Sequence, residues 1–286
     1  MKQLLILSGK GGTGKTTIAS AFVKLSGARA YADCDVDAPN LHLVLKWSQE
    51  PERKPYFGLP KAEIDVDKCV RCGKCMENCR FEAIAFSGKY VVDSFACEGC
   101  GVCAFVCPVG AVALKPAVAG ELMLYRNGEV FSTARLKMGS GTSGLLVTEV
   151  KKQIFEAAAD AELVIIDGSP GIGCPVIASI SGVDMVLVVA EPSVSGISDM
   201  ERILGAAEKF RVKTAVCVNK FDNNIKKTKE IEDYCRTKGV PFVGCIPYDE
   251  EAVCAINAGK SIVELDCAAG KAVRTVYENT MEVQKY

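Results

Sequence analysis

The chain has 286 residues, which against a soft prior of about 150 per domain fits two domains or one large α/β domain with an insertion. Its 34 Lys and Arg nearly balance 35 Asp and Glu, leaving no basic footprint for nucleic acid, and 49% hydrophobic residues exclude a disordered chain. Fifteen cysteines, about 5%, are too few for a small disulfide scaffold; one histidine leaves little room for imidazole metal sites or for Ser-His and Cys-His catalysis.

In chain order, residues 3–7 form a short apolar run that predicts a parallel strand buried on both faces. A glycine-rich loop, 8–15, follows, and Ile18, Phe22 and Leu25 then fall at helical spacing. A second strand, 28–32, leads into Asp33. After Trp47, the series Pro51, Pro55, Gly58 and Pro60 reads as a connection to an inserted unit, and eight cysteines crowd residues 61–116. Beyond them, 121–125 and 129–133 flank Asn127-Gly128, a hairpin signal. Strands at 163–166, 185–190, 214–218 and 240–246 then alternate with helices near 145–158, 197–210 and 225–238.

The alternation predicts an α/β fold with a mostly parallel sheet and ligands at the strands' carboxyl ends. The expected organisation is a first α/β part, residues 1–60, an insert, 61–116, and a second α/β part, 117–286. The amino terminus does not read as a secretory signal, and no run reaches the ~18 apolar residues that span a bilayer. The expected location is cytoplasmic, without membrane attachment, where clustered cysteines more often hold metal than pair with each other.

Residues 9–16, GKGGTGKT, satisfy the phosphate-loop pattern G-x-x-x-x-G-K-[ST] between a predicted strand and a predicted helix. Glycines let backbone N–H groups curl around phosphates, and the helix amino terminus adds its positive dipole end. Gly11, Gly12, Thr13 and Gly14 supply that cradle; Lys15 is expected on the β- and γ-phosphates, Thr16 on Mg²⁺ and Thr17 as a further phosphate donor.

With its early Lys10, the loop resembles the deviant Walker A motif of the MinD/Mrp superfamily, which includes the nitrogenase iron protein. The resemblance implies an ATP-sandwiched homodimer in which Lys10 reaches the partner's nucleotide. It also implies a first switch at residues 32–37, with Asp33 near Mg²⁺, Asp35 orienting the attacking water and Asp37 able to share either role. Residues 163–167 resemble a Walker B strand ending in Asp167, near Mg²⁺, and 168–173 a second switch. Asn219 resembles an adenine-reading asparagine, and Pro247, Asp249 and residues 255–260 a late base wall. Cys174 stands where the nitrogenase iron protein carries an interface cluster ligand; a buried thiol is the plainer reading, as it is for Cys34, Cys217, Cys245 and Cys254.

The two runs Cys69-x2-Cys72-x2-Cys75-x3-Cys79 and Cys97-x2-Cys100-x2-Cys103-x3-Cys107-Pro108 resemble the bacterial two-cluster ferredoxin pattern. That resemblance implies two [4Fe–4S] clusters per chain, one on Cys69, Cys72, Cys75 and Cys107, the other on Cys97, Cys100, Cys103 and Cys79, because each fourth cysteine serves the other cluster. Zinc, the alternative, usually takes paired C-x2-C knuckles instead. Arg80 replaces the family's proline, and Trp47, Phe81, Tyr90 and Phe95 read as packing beside the clusters.

The whole resembles MinD/Mrp-type ATPases with an inserted ferredoxin-like α+β domain. The implied activity is slow Mg²⁺-dependent ATP hydrolysis coupled to electron transfer or metallocofactor assembly with a redox or assembly partner. A MinD- or ParA-like regulator with redox-sensing clusters is the alternative, although the carboxy-terminal stretch, with Lys271, Arg274 and Lys285 offset by Glu278 and Glu282, makes a poor membrane tail. A cobyrinate-type amidase or ligase lacks its cysteine–histidine pair here.

Overall fold

The computed structural model describes residues 1–47 and 49–285, apart from the side chains of Ile256 and Asn257. The chain divides into two compact units, one of Met1–Arg53, Leu122–Arg135 and Gly144–Tyr286, the other of Lys54–Glu121 and Leu136–Ser143.

The main sheet has the spatial order Phe242–Ile246, Lys213–Asn219, Met185–Ala190, Lys2–Ser8, Leu163–Asp167, Ala30–Asp33 and Val130–Leu136, then Val118–Arg126 and Glu52–Phe57. The first seven strands are parallel. Met185–Ala190 is buried along its whole length and Lys2–Ser8 from Leu4 onward, because helices cover both faces of a parallel sheet and unbroken apolar runs satisfy both. Helix boundaries follow local chemistry. Lys15–Ser26 and Ile225–Lys238 stop at left-handed Gly27 and Gly239, while Ser193 and Asn224 side chains accept the Gly196 and Lys227 N–H groups that open the helices Val194–Lys209 and Ile225–Lys238.

One expectation is corrected. Residues 51–60 are not a bare connection: Glu52–Phe57 is a strand, and Pro55 is tolerated there because the strand lies at the sheet's edge, where a missing N–H breaks no ladder. The carboxy-terminal stretch forms the helix Ala268–Lys285, whose stripe of Ala269, Val273 and Val276 is buried in the core, with Tyr277 edge-on to Phe22 at 5.1 Å. That stripe is used for packing. Among the described residues no helix is long and apolar enough to cross a membrane.

In the second unit Lys61–Ile64 pairs antiparallel with Val112–Lys115, and Ile84–Phe86 with Tyr90–Val92. Two one-turn helices, Lys74–Glu77 and Val102–Phe105, each begin after a left-handed glycine, Gly73 and Gly101. Its small core gathers Ala62, Ala83, Ile84 and Val112 around Cys75, Cys97 and Cys103.

Candidate nucleotide site and cysteine cavities

The sheet brings the predicted nucleotide residues to the carboxyl ends of its strands. The phosphate loop leaves Lys2–Ser8, while Asp33, Asp167 and Asn219 are the last residues of their strands. A cavity of about 1160 Å³ is lined by Lys10, Gly11, Gly12, Gly14, Lys15, Thr16, Thr17, Asp35, Asp37, Asn219, Pro247 and Asp249. Thr13 is buried behind the loop, its hydroxyl donating to the Lys10 carbonyl at 3.0 Å. Of the late base wall, Ala258 and Gly259 line the cavity, whereas the side chains of Ile256 and Asn257 lie outside the described residues.

At the head of helix Lys15–Ser26, Lys15 Nζ lies 2.5 Å from Asp167 Oδ1, and the Thr16 hydroxyl donates to Asp167 Oδ2 at 2.6 Å. Burial alone would pull the Lys15 ammonium toward neutrality, but the carboxylates of Asp167 and Asp33 outweigh it and hold its pKa above the ordinary lysine value. Thr16 and Asp167 together offer the hard oxygen donors that Mg²⁺ takes.

Asp33 behaves differently. It is fully buried and accepts the backbone N–H of Asp35 on Oδ1 (2.9 Å) and those of Asn40 and Leu41 on Oδ2 (3.0 Å each). Both oxygens therefore fix the backbone that follows the strand, from Asp35 to Leu41. Burial, with the neighbouring Asp167, pushes its pKa up to about 7 against the opposing pull of Lys15. Asp35, half-buried on the cavity wall, is also raised, by burial first and then by Asp167.

The two segments expected as switches, residues 32–37 and 168–173, are tied to each other and to the end of strand Lys2–Ser8. Ser169, in the second switch, donates to the Cys34 carbonyl in the first at 2.5 Å, and Gly171 N–H reaches the Ser8 carbonyl at 3.0 Å. Lys10 turns onto the Ser195 hydroxyl of helix Val194–Lys209. Asn219 donates its amide to the Thr13 carbonyl at 2.7 Å, pressed against left-handed Gly14, where no side chain would fit; in this arrangement its NH₂ braces the phosphate loop. Asp249 caps two helices through Glu251 N–H and Ala269 N–H, and these bonds, the latter foremost, hold its carboxyl below the usual range.

Sequence reading missed Ser195 and Lys151. Lys151 is buried and its ammonium donates to the carbonyls of Ala178, Ser179 and Ser181, closing the end of helix Cys174–Ile180, which follows the second switch. A lysine one heptad into an otherwise apolar helix face, at Leu146, Val147, Val150 and Ile154, was the available signal.

The sequence matches the CobQ/CobB/MinD/ParA nucleotide-binding domain over residues 4–262. The chain belongs to that family. An uncharacterized Methanocaldococcus jannaschii protein, MJ0578, is 30% identical over 98% of this chain and 96% of its own. The septum site-determining protein MinD of Bacillus subtilis is 23% identical over 91% of this chain and 81% of its own. The crystal structure of the Pyrococcus furiosus cell division ATPase MinD shares the fold, with a TM-score of 0.60, 16% identity and coverage of 99% of both chains. As a MinD/ParA-type ATPase, the chain carries its nucleotide machinery entirely within the first unit.

The second unit holds the eight clustered cysteines around two cavities. One is lined by Cys69, Cys72, Cys75 and Cys107, the other by Cys79, Cys97, Cys100 and Cys103. Among the described residues the one group of three or more ligating side chains close enough for a single ion is Asp249, Glu251 and Cys267, so no three of the eight thiols approach within 4.8 Å of one another. Each cavity offers four thiols, the donor number that a four-iron cluster or a tetrahedral zinc takes. At Cys107, burial works upward, but the backbone N–H groups of Val109, Ala111, Val112 and Gly110 overcome it and favour the thiolate; Ala111 N–H lies 3.2 Å from the sulfur.

Other thiols and aromatics depart from the sequence reading. Cys254 is exposed rather than core, and Cys174 is exposed as the first residue of its helix, against Gly144. Cys34 is fully buried, which pushes its thiol up to about 12. Trp47 packs with Tyr31, Tyr125 and Phe131 in the first unit, and Phe95 is 77% exposed, so neither packs beside the cysteines as expected. His42, whose burial lowers its pKa, sits on the short helix Leu41–Leu45 and does not line the nucleotide cavity.

Proposed function

We propose that this chain is a nucleotide-switched regulatory ATPase of the MinD/ParA type whose second unit carries two [4Fe–4S] clusters as redox sensors. The observation that carries the switch is the shared engagement of Asp167 by Lys15 and Thr16. Bound triphosphate would draw Lys15 onto its β- and γ-phosphates and leave Asp167 and Thr16 to hold Mg²⁺. Ser169 and Gly171, bonded to the first switch and to Ser8, would carry that rearrangement into both switches. Asp35 orients the attacking water, and Lys10, released from Ser195, reaches the nucleotide of a second copy of the chain in a homodimer. The MinD names among the relatives favour regulation over electron delivery.

The clusters, when bound, supply one-electron redox chemistry. The residues that would hold them are the four cysteines lining each cavity, three from one run and one from the other. That crossed arrangement also favours a second reading, coupling of nucleotide state to electron transfer or metallocofactor assembly with a partner protein. Turnover and dimerisation measured anaerobically on oxidised and reduced protein separate the two. The sensor reading predicts a rate that depends on cluster oxidation state without net electron loss. The delivery reading predicts reduced clusters that reoxidise in step with ATP hydrolysis when an acceptor is present. In either case Lys15→Ala abolishes ATP binding and leaves iron at about eight per chain; unchanged turnover in that variant removes the assignment of the site.

A further inference from the structure

The duplicated cysteine runs place equivalent residues in the two cavities, and their surroundings differ at one such pair. Gly73 sits between Cys72 and Cys75, and Gly101 between Cys100 and Cys103. Both are left-handed, with φ of +82° and +79°, and their carbonyls accept the first N–H groups of the following one-turn helices: Met76 and Glu77 in one, Ala104 and Phe105 in the other. The backbones of the two ligand loops are thus copies of each other.

Their neighbours are not. A Cβ at Gly73 would lie 3.2 Å from the Tyr90 hydroxyl and 3.3 Å from Glu77 Oε1, whereas a Cβ at Gly101 would lie 3.5 Å from a Leu114 methyl. Tyr90 lines the cavity of Cys69, Cys72, Cys75 and Cys107; Leu114 lines the cavity of Cys79, Cys97, Cys100 and Cys103. In the repeat, Glu77 corresponds to Phe105. One ligand loop therefore has a phenol hydroxyl as its neighbour, and the other an alkyl group.

We infer that Tyr90 splits the two clusters into unequal redox sites, making the cluster on Cys69, Cys72, Cys75 and Cys107 the one that accepts the first electron. The inference rests on the proposed cluster content. A reduced cluster carries one more negative charge than an oxidised one, so a hydroxyl lining its cavity, able to donate toward that charge, stabilises the reduced form and raises the potential, while an apolar neighbour offers no such preference. Glu77 acts in the opposite sense, but it is exposed, and water and salt screen its charge. The ring of Tyr90 packs against Phe86, with centroids 4.8 Å apart. Function follows from the inequality: a sensor with one easily reduced and one hard-to-reduce cluster has a half-reduced state over a range of ambient potentials.

The test is an anaerobic redox titration of the iron-loaded full chain, followed by EPR, for wild type, Tyr90→Phe and Glu77→Gln. The wild type is expected to show two resolved one-electron couples. Tyr90→Phe, which keeps the ring, should lower the upper couple by about tenfold in its reduction equilibrium, ~59 mV for one electron, and leave the lower couple in place. Glu77→Gln should raise the same upper couple by a smaller amount that disappears at high salt. A single wild-type couple, or a Tyr90→Phe variant with full iron and both couples unmoved, overturns the inference and leaves the cluster assignment intact. A chain that binds no iron removes the cluster assignment, and the inference with it.

Discussion

Lys15 and Asp167 form an ion pair at 2.5 Å with 6% and 0% of their side chains exposed, and Asp167 takes the Thr16 hydroxyl on its other oxygen. A buried pair of this kind is a poor source of net stability, but removing one partner strands the other, at about 3–5 kcal/mol. Its position between residues 9–16 and 168–173 gives it a different use in the proposed switch: the cation proposed to meet phosphate is held in place by the carboxylate proposed to meet Mg²⁺.

Lys15→Met is therefore expected to destabilise the chain by about 3–5 kcal/mol and to abolish ATP binding. Adding Asp167→Asn should restore much of the stability and none of the ATP binding. Urea denaturation of the two single variants and the double variant measures the coupling, and strictly additive losses would show that the two side chains do not interact.

Asp33 predicts a pH dependence. Its folded pKa of about 7 lies above the ordinary 3.8 because burial disfavours the charge. The folded state then binds the proton more tightly than the unfolded state, so this group's contribution falls as pH rises from about 4 to about 7 and is level above that. Thermal unfolding of the Mg²⁺-free protein across that window should show the loss, and Asp33→Asn, although less stable through its lost acceptor, should show a shallower slope. Parallel slopes would contradict the assignment.

Ser195 holds Lys10 in the same chain. Ser195→Ala should strengthen ATP-dependent dimerisation by about threefold to tenfold, the equivalent of one hydrogen bond. Lys10→Ala should abolish dimerisation while leaving ATP binding near its wild-type value. Sedimentation velocity with and without ATP reads both, and a dimer in Lys10→Ala would place the trans contact elsewhere.

Lys151 closes three carbonyls at the end of helix Cys174–Ile180. Lys151→Met retains much of the apolar volume and orphans those acceptors, at a cost of about 1–3 kcal/mol. Because the helix follows the second switch, the variant should lower the ATP hydrolysis rate more than it weakens ATP binding. Equal losses in both would mean that Lys151 supports the fold and nothing more.

The phosphate loop, the parallel strands and the cysteine runs were legible because each is written in a contiguous stretch: glycines at fixed spacing, unbroken apolar runs, repeated Cys-x2-Cys. The helices Leu41–Leu45 and Cys174–Ile180 were not, since they are one or two turns long and follow loops whose residues are shaped by Asp33 and the second-switch glycines. The backbone hydrogen bonds that Asp33 accepts from Asp35, Asn40 and Leu41 were not legible, because a strand-end aspartate carries the same sequence signature with or without them. The Lys10–Ser195 proximity joins residues far apart in the chain, and that of Tyr90 and Gly73 crosses from a strand to a ligand loop, so only the fold brings each pair together.

The central claim is that nucleotide state and cluster oxidation state are coupled. ATP affinity of the iron-loaded chain, measured anaerobically on oxidised and on fully reduced protein in the same buffer, tests it most directly. The account predicts dissociation constants that differ by about fivefold or more, the lower bound of ordinary allosteric coupling, with an equal and reciprocal shift of the cluster potentials on adding ATP. Identical affinities in the two oxidation states, with about eight irons per chain retained, would contradict it.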